Sequence, residues 1–139
     1  MNDVTKTSLS AGEILRSVLL LSEDLAELTK KIYPVATATA DLPYITYRRT
    51  GMESQAVKGK PYNDTVAVEV CCYAATYGHS VELAERVRAA LDGVSAQSDT
   101  LRMRSCALID SEEDWEADAY VQRLVFEMRM EFSDSVRKH

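Results

Sequence analysis

The strongest constraint in the chain is the run from Arg123 to Phe132. There Leu124, Phe126, Met128, Met130 and Phe132 alternate with Arg123, Val125, Glu127, Arg129 and Glu131. Successive side chains of a strand point to opposite faces, so a period of two sets an apolar face against a polar one. A second run of this kind extends from Thr65 to about Ala75. Val66, Val68, Val70 and Cys72 share one face, and Thr65, Ala67, Glu69, Cys71 and Tyr73 share the other. A third sets Leu101, Met103, Ser105, Ala107 and Ile109 against Arg102, Arg104, Cys106 and Leu108. Tyr44-Ile45-Thr46-Tyr47-Arg48-Arg49 is a fourth, entered through Leu42-Pro43. Lys31-Ile32-Tyr33-Pro34-Val35 is too short and proline-bound for more than an edge strand.

Two stretches have helical spacing instead. Ser10-Ala11-Gly12-Glu13 has the form of a capping box, and Ile14, Leu15, Val18 and Leu19 form one stripe behind it, with Leu21 off the stripe. Ser22 can cap a further short turn carrying Leu25 and Leu28, with Lys30 and Lys31 near its C-terminal end. After Gly78-His79-Ser80, with Ser80 as the expected cap, Leu83, Ala84, Val87, Ala90 and Leu91 form the clearest helical stripe, and Gly93 suits its stop.

The rest reads as connection. Residues 1–9 form a polar arm and 133–139 a polar tail, the Gly51 to Asp64 segment a long hairpin loop, and Asp110 to Asp118 an acidic loop. The expected order is α-β-β-β-α-β-β, an α+β domain with a mostly antiparallel sheet and two main helices packed on one face. At 139 residues, with no internal repeat or linker, the chain is expected to form a single domain.

Composition excludes several classes. An apolar fraction of 46% is too high for a disordered chain. A net charge of −6 argues against general nucleic-acid binding, which needs a basic surface to displace counterions. Cys71, Cys72 and Cys106 are an odd number at no metal-ligand spacing, and read as small apolar residues in a reducing compartment. The polar N-terminus lacks a signal-peptide core, and the longest apolar run, Val18–Leu21, falls far short of the roughly 20 residues a membrane span needs. The chain is expected to be soluble, made in a cytoplasm, and without membrane contact.

The candidate chemistry is thin. Asp110, Glu112, Glu113, Asp114, Glu116 and Asp118 offer hard oxygen ligands for Mg²⁺ or Ca²⁺, but without the turn-forming glycine of an EF-hand loop. A solvated loop with Trp115 against the body or a neighbour is the plainer reading. His79 beside Ser80 is proximity in sequence, not a spatial triad, and His139 lies in the tail. Lys58-Gly59-Lys60-Pro61 lacks the spacing of a phosphate loop. No catalytic residue, metal site or cofactor site is expected. The Met128 and Met130 stripe with Phe126 reads as core.

Lys31-Ile32-Tyr33-Pro34, then Leu42-Pro43-Tyr44-Ile45-Thr46-Tyr47, then Cys72-Tyr73-Ala74-Ala75-Thr76-Tyr77, and the helix from Leu83 to Gly93 together resemble a family of tailed-phage and prophage tail-completion proteins. The resemblance covers residues 11–93; the final strands match in order and alternation only. It implies a subunit related to tail-terminator and head–tail joining proteins, non-enzymatic, assembling with itself into a ring, often of six, in the virion. The tail-tube protein and the head connector are the implied partners. It carries over no catalytic residue, and the acidic segment does not align. Opposite charges on the first hairpin (Arg48, Arg49, Lys58 and Lys60) and on the acidic segment (Glu112 and Glu113, with Trp115 beside them) would set the contact between subunits. Two other readings stay open: a ferredoxin-like ligand-binding or regulatory module using the Met/Phe face, and a metal-dependent enzyme using the acidic segment.

Overall fold

A computed structural model describes residues 6–36, 41–55, 62–98 and 100–132. A 3-10 turn (Ser8–Ser10) leads into α1 (Ala11–Leu21), the short α2 (Glu23–Ala26) and β1 (Ile32–Pro34). The long strands β2 (Tyr44–Gln55) and β3 (Tyr62–Ala74) follow, then α3 (Tyr77–Leu91), the short β4 (Ala96–Ser98), β5 (Leu101–Glu116) and β6 (Ala119–Phe132). Among the described residues the strands form one sheet in the order β1-β2-β3-β6-β5-β4. All neighbours are antiparallel except β1 on β2.

The expectation of two main helices on one face of an α+β sheet is overturned. The sheet dominates and curls into a half-barrel, with one main helix, α3, and a shorter one. The element order differs too: α2 is a helix where a short turn is expected, and β4 is additional. A four-residue helix and a three-residue strand are too short to show a period.

The core lies inside the curl. Met128, Phe126 and Leu124 of β6 lie beside Val66, Val68 and Val70 of β3, and all six are buried, as is Met130. Leu83, Val87 and Leu91 of α3 and Ile14, Leu15 and Leu19 of α1 close over them. Each such side chain contributes about 1.5–3 kcal/mol by leaving water. At Gly12 a Cβ would sit 3.1 Å from the Tyr47 ring, so the missing side chain lets α1 lie close against β2. Gly93, at φ +80, ends α3 in a conformation that favours glycine.

Several local expectations need correction. Ser10 precedes α1 but makes no side-chain cap; Thr7 caps the preceding turn and Glu13 pairs with Lys6 at 3.2 Å, so no capping box forms. Ser22 does cap α2, accepting from the Leu25 N–H at 3.1 Å. Thr76, not Ser80, caps α3, accepting from the His79 N–H.

The alternation along β5 is broken by two bulges, between Met103 and Ser105 and between Leu108 and Asp110. Each inserts a residue and shifts the face by one position. Met103, Cys106 and Leu108 thus share the core side, opposite Met130, Met128 and Phe126, while Ile109 is 54% exposed. The expected acidic loop is the distal half of this strand, paired with β6 from Ser111↔Leu124 to Glu116↔Ala119. Most of the expected hairpin loop is strand as well: Gly51 to Gln55 continue β2 and Tyr62 to Asp64 open β3, paired with each other down to Gln55↔Asn63. Residues 56–61 of that segment, with Lys58 and Lys60, most of the expected arm, and the tail with His139 lie outside the described residues.

Candidate functional site

The distal β5–β6 hairpin carries the densest set of polar side chains. Its turn is two residues long, Ala117 and Asp118, both with positive φ (53 and 61), as the right-handed twist of a hairpin requires. Strand pleating then divides the acidic segment between two faces.

On the face away from the helices, Glu112, Asp114 and Glu116 converge on Arg123 of β6. The guanidinium lies 2.8 Å from Glu116, 3.8 Å from Asp114 and 3.9 Å from Glu112. It also donates to the Cys71 Sγ at 3.5 Å. Burial works against the charge of Arg123, but the hydrogen bond to Glu116 and the acidic groups around it outweigh that and raise its pKa. The Tyr73 hydroxyl donates to Glu116 at 3.3 Å and its ring stacks on Tyr44 at 4.6 Å. Burial pushes Tyr73 up to about 12, with Cys71 and Glu116 adding to the shift. Val121, fully buried although it shares this face, lies in the register between Tyr73 and Asp114, and the buried Ala119 lies opposite Glu116.

On the helix side, Glu113 accepts from the Tyr77 hydroxyl and, at 3.0 Å, from the Gln122 amide. Gln122 also donates to the buried Ser80 hydroxyl at 3.2 Å. The two donors, Tyr77 first, hold the Glu113 carboxyl below its usual range. Trp115 is 55% exposed and meets Tyr120 edge-on at 4.9 Å, and Tyr120 meets Tyr77 at 6.0 Å.

The two neighbouring arginines likewise separate. Arg48 lies opposite Glu69, 3.5 Å away, whereas Arg49 lies opposite Val68 and donates to the Leu9 carbonyl at 3.0 Å. Among the described residues, Arg48 and Arg49 of β2 and the carboxylates of β5 therefore do not meet within the chain; β3 and β6 stand between their strands. Spacing alone gave no sign of Arg123 as the centre of the acidic group, because its partners lie on the adjacent strand.

Of the carboxylates weighed as a metal site, Glu112, Asp114 and Glu116 are arranged around a guanidinium and Glu113 is held on the other face by Tyr77 and Gln122. His79 is exposed at the start of α3, beside a cavity of about 240 Å³ that Leu28, Leu42, Pro43 and Leu83 also line. Phe126, Met128 and Met130 are filled core, which leaves the small-ligand reading without its Met/Phe face.

Comparison with known proteins follows the same line. The family described as tail completion protein gp17 matches residues 13–132. A chain from the structure "Virion of native gene transfer agent (GTA) particle" superposes with a TM-score of 0.71 at 19% identity, covering 90% of this chain and 99% of that one. At that identity the likeness is one of fold. No curated protein matches the chain.

Proposed function

The chain belongs to the tail completion protein gp17 family and is a phage structural protein of the virion, and from that membership we propose that it works as one subunit of a homo-oligomeric ring at the head-proximal end of a tail. The ring closes the tail tube and offers a docking surface to the head connector. The family match over residues 13–132 carries this reading. The curled sheet, with its core on the inside and charged hairpins at its borders, is compatible with it. Heterologous contacts between identical subunits generate closed rings when the rotation per subunit completes a circle.

The test is assembly. Purified protein is examined by native mass spectrometry alone and after incubation with tail tubes, and by electron microscopy of the tube ends. A discrete multiple of the 15.5 kDa subunit, seated at one end of the tube, is the expected result. Protein that stays monomeric in both settings, and does not restore joining to tails made without it, would sink the reading.

A further inference from the structure

Two stretches of strand edge lie open among the described residues, at diagonally opposite corners of the sheet. β4 covers β5 only from Leu101 to Met103. The turn after α3 covers the next part, where the Gly93 N–H donates to the Cys106 carbonyl at 2.8 Å and the Leu108 N–H to Asp92 at 3.1 Å. From Ile109 to Glu116, β5 has β6 on one side and no described strand on the other. At the other border, β1 covers β2 only from Ile45 to Tyr47, so Arg48 to Gln55 has β3 alone. β2 and β5 run in opposite directions, which places these open stretches at opposite ends of the sheet.

An open strand edge presents unpaired N–H and C=O groups and is a template for another strand. The side chains say which strand fits. Asp110, Glu112, Glu113, Asp114 and Glu116 line the open part of β5, so two copies of this edge set against each other would oppose like charges. The open part of β2 starts at Arg48 and Arg49, which project to opposite faces, as Glu112 and Glu113 do. Three carboxylates share the single guanidinium of Arg123, leaving negative charge for a partner. Each open stretch also holds an exposed large apolar residue, Met52 at 41% and Ile109 at 54%.

We propose that the open edge of β5 in one subunit pairs antiparallel with the open edge of β2 in the next copy, carrying the sheet from subunit to subunit. The inference rests on the ring reading and adds the surfaces that join it. Copies related head to tail keep their orientation, so opposite strand directions within a subunit give an antiparallel joint between subunits. The diagonal placement sets neighbours off along the strands, the stagger that tilts the strands of a closed barrel.

The experiment uses the full chain with cysteine pairs at the joint: Glu53→Cys with Ser111→Cys, and Met52→Cys with Glu112→Cys. The wild type, whose three cysteines are buried, controls for background. Under mild oxidation the double variants are expected to give a reducible ladder of dimer, trimer and higher species, and each single variant only background. Hydrogen exchange forms an independent arm: amides in 48–55 and 109–116 are expected to slow about tenfold or more in the ring. Dimers from Ser111→Cys alone would show β5 pairing with β5 and overturn the proposal. A ring of correct mass with neither ladder nor protection would overturn the joint and leave the ring reading standing. A wild type monomeric alone and on tail tubes would overturn both.

Discussion

Arg123 Nη2 lies 2.8 Å from Glu116 Oε1, which ties β6 to the last residue of β5 beside the hairpin turn. The arginine is largely enclosed while its carboxylate partners are about half exposed or more, so water and salt screen them unequally. Arg123→Ala is expected to lower stability by about 1–3 kcal/mol, through lost burial of the arginine stem and three carboxylates left without a cation. Urea denaturation at low salt and at about 1 M salt checks the cause, since screening over roughly 3 Å should recover part of the loss. An effect identical at both salts would mean that packing alone is responsible.

The hairpin turn places Ala117 and Asp118 at positive φ, where a Cβ is unfavourable. Substitution to the Asn-Gly pair preferred in such turns, Ala117→Asn with Asp118→Gly, should stabilise the chain by about 0.5–1 kcal/mol. A melting temperature unchanged or lowered would contradict the turn geometry.

Burial pushes Cys71 up to about 11 and, with Asp92 adding to it, Cys106 up to about 12, and it raises Cys72 as well. In the unfolded chain these thiols ionise near their ordinary value of 9.0, whereas the folded chain keeps the protons. The unfolded state therefore binds fewer protons above that pH, and stability must fall as pH rises from about 9 towards 11. Denaturation midpoints across this range check the slope. A thiol reagent at pH 8 should label none of the three until denaturant is added; rapid labelling in buffer would show that the core is open.

Glu113 is held below its usual range first by the Tyr77 hydroxyl and then by Gln122. A carboxylate with a depressed pKa contributes stability that is present above its unfolded value near 4.5 and fades as pH falls through the lower folded value. Tyr77→Phe should move the Glu113 titration upward, as read by carboxyl carbon shifts in an NMR titration. A titration midpoint identical to that of the wild type would show that the hydroxyl does not hold it.

The bulges in β5 make a prediction that simple alternation reverses. Ile109→Lys should alter monomer stability by less than about 0.5 kcal/mol, whereas Cys106→Asp should cost several kcal/mol by burying a carboxylate beside Met128. Comparable losses from both would place the bulge elsewhere.

These contrasts mark what the sequence could disclose. The alternations in β3 and β6 were legible because both strands are central, and one face of each meets the core. The α3 stripe was legible for the same reason. The distal half of β5 was not, because from Asp110 to Glu116 both of its faces are exposed and no apolar period survives. Bulges are invisible to a period of two, since the inserted residue looks like any other. Of the candidate interface residues, Glu112, Glu113 and Trp115 were singled out for charge and size, but Arg123 and Tyr77, which position the two glutamates, become neighbours only through the fold.

β3 and β6 lie side by side from Tyr62↔Phe132 to Ala74↔Tyr120, although α3, β4 and β5 intervene in sequence. A ribosome delivers these strands in order, at roughly 5–20 residues per second. Val66, Val68 and Val70 therefore wait, with one edge of β3 open, until Ala119–Phe132 has been made. Long-range pairing of this kind is slow to form and cannot be completed by any fragment that lacks β6. Truncated products would lack the middle of the sheet, and would be substrates for proteolysis rather than defective competitors for a place in the particle.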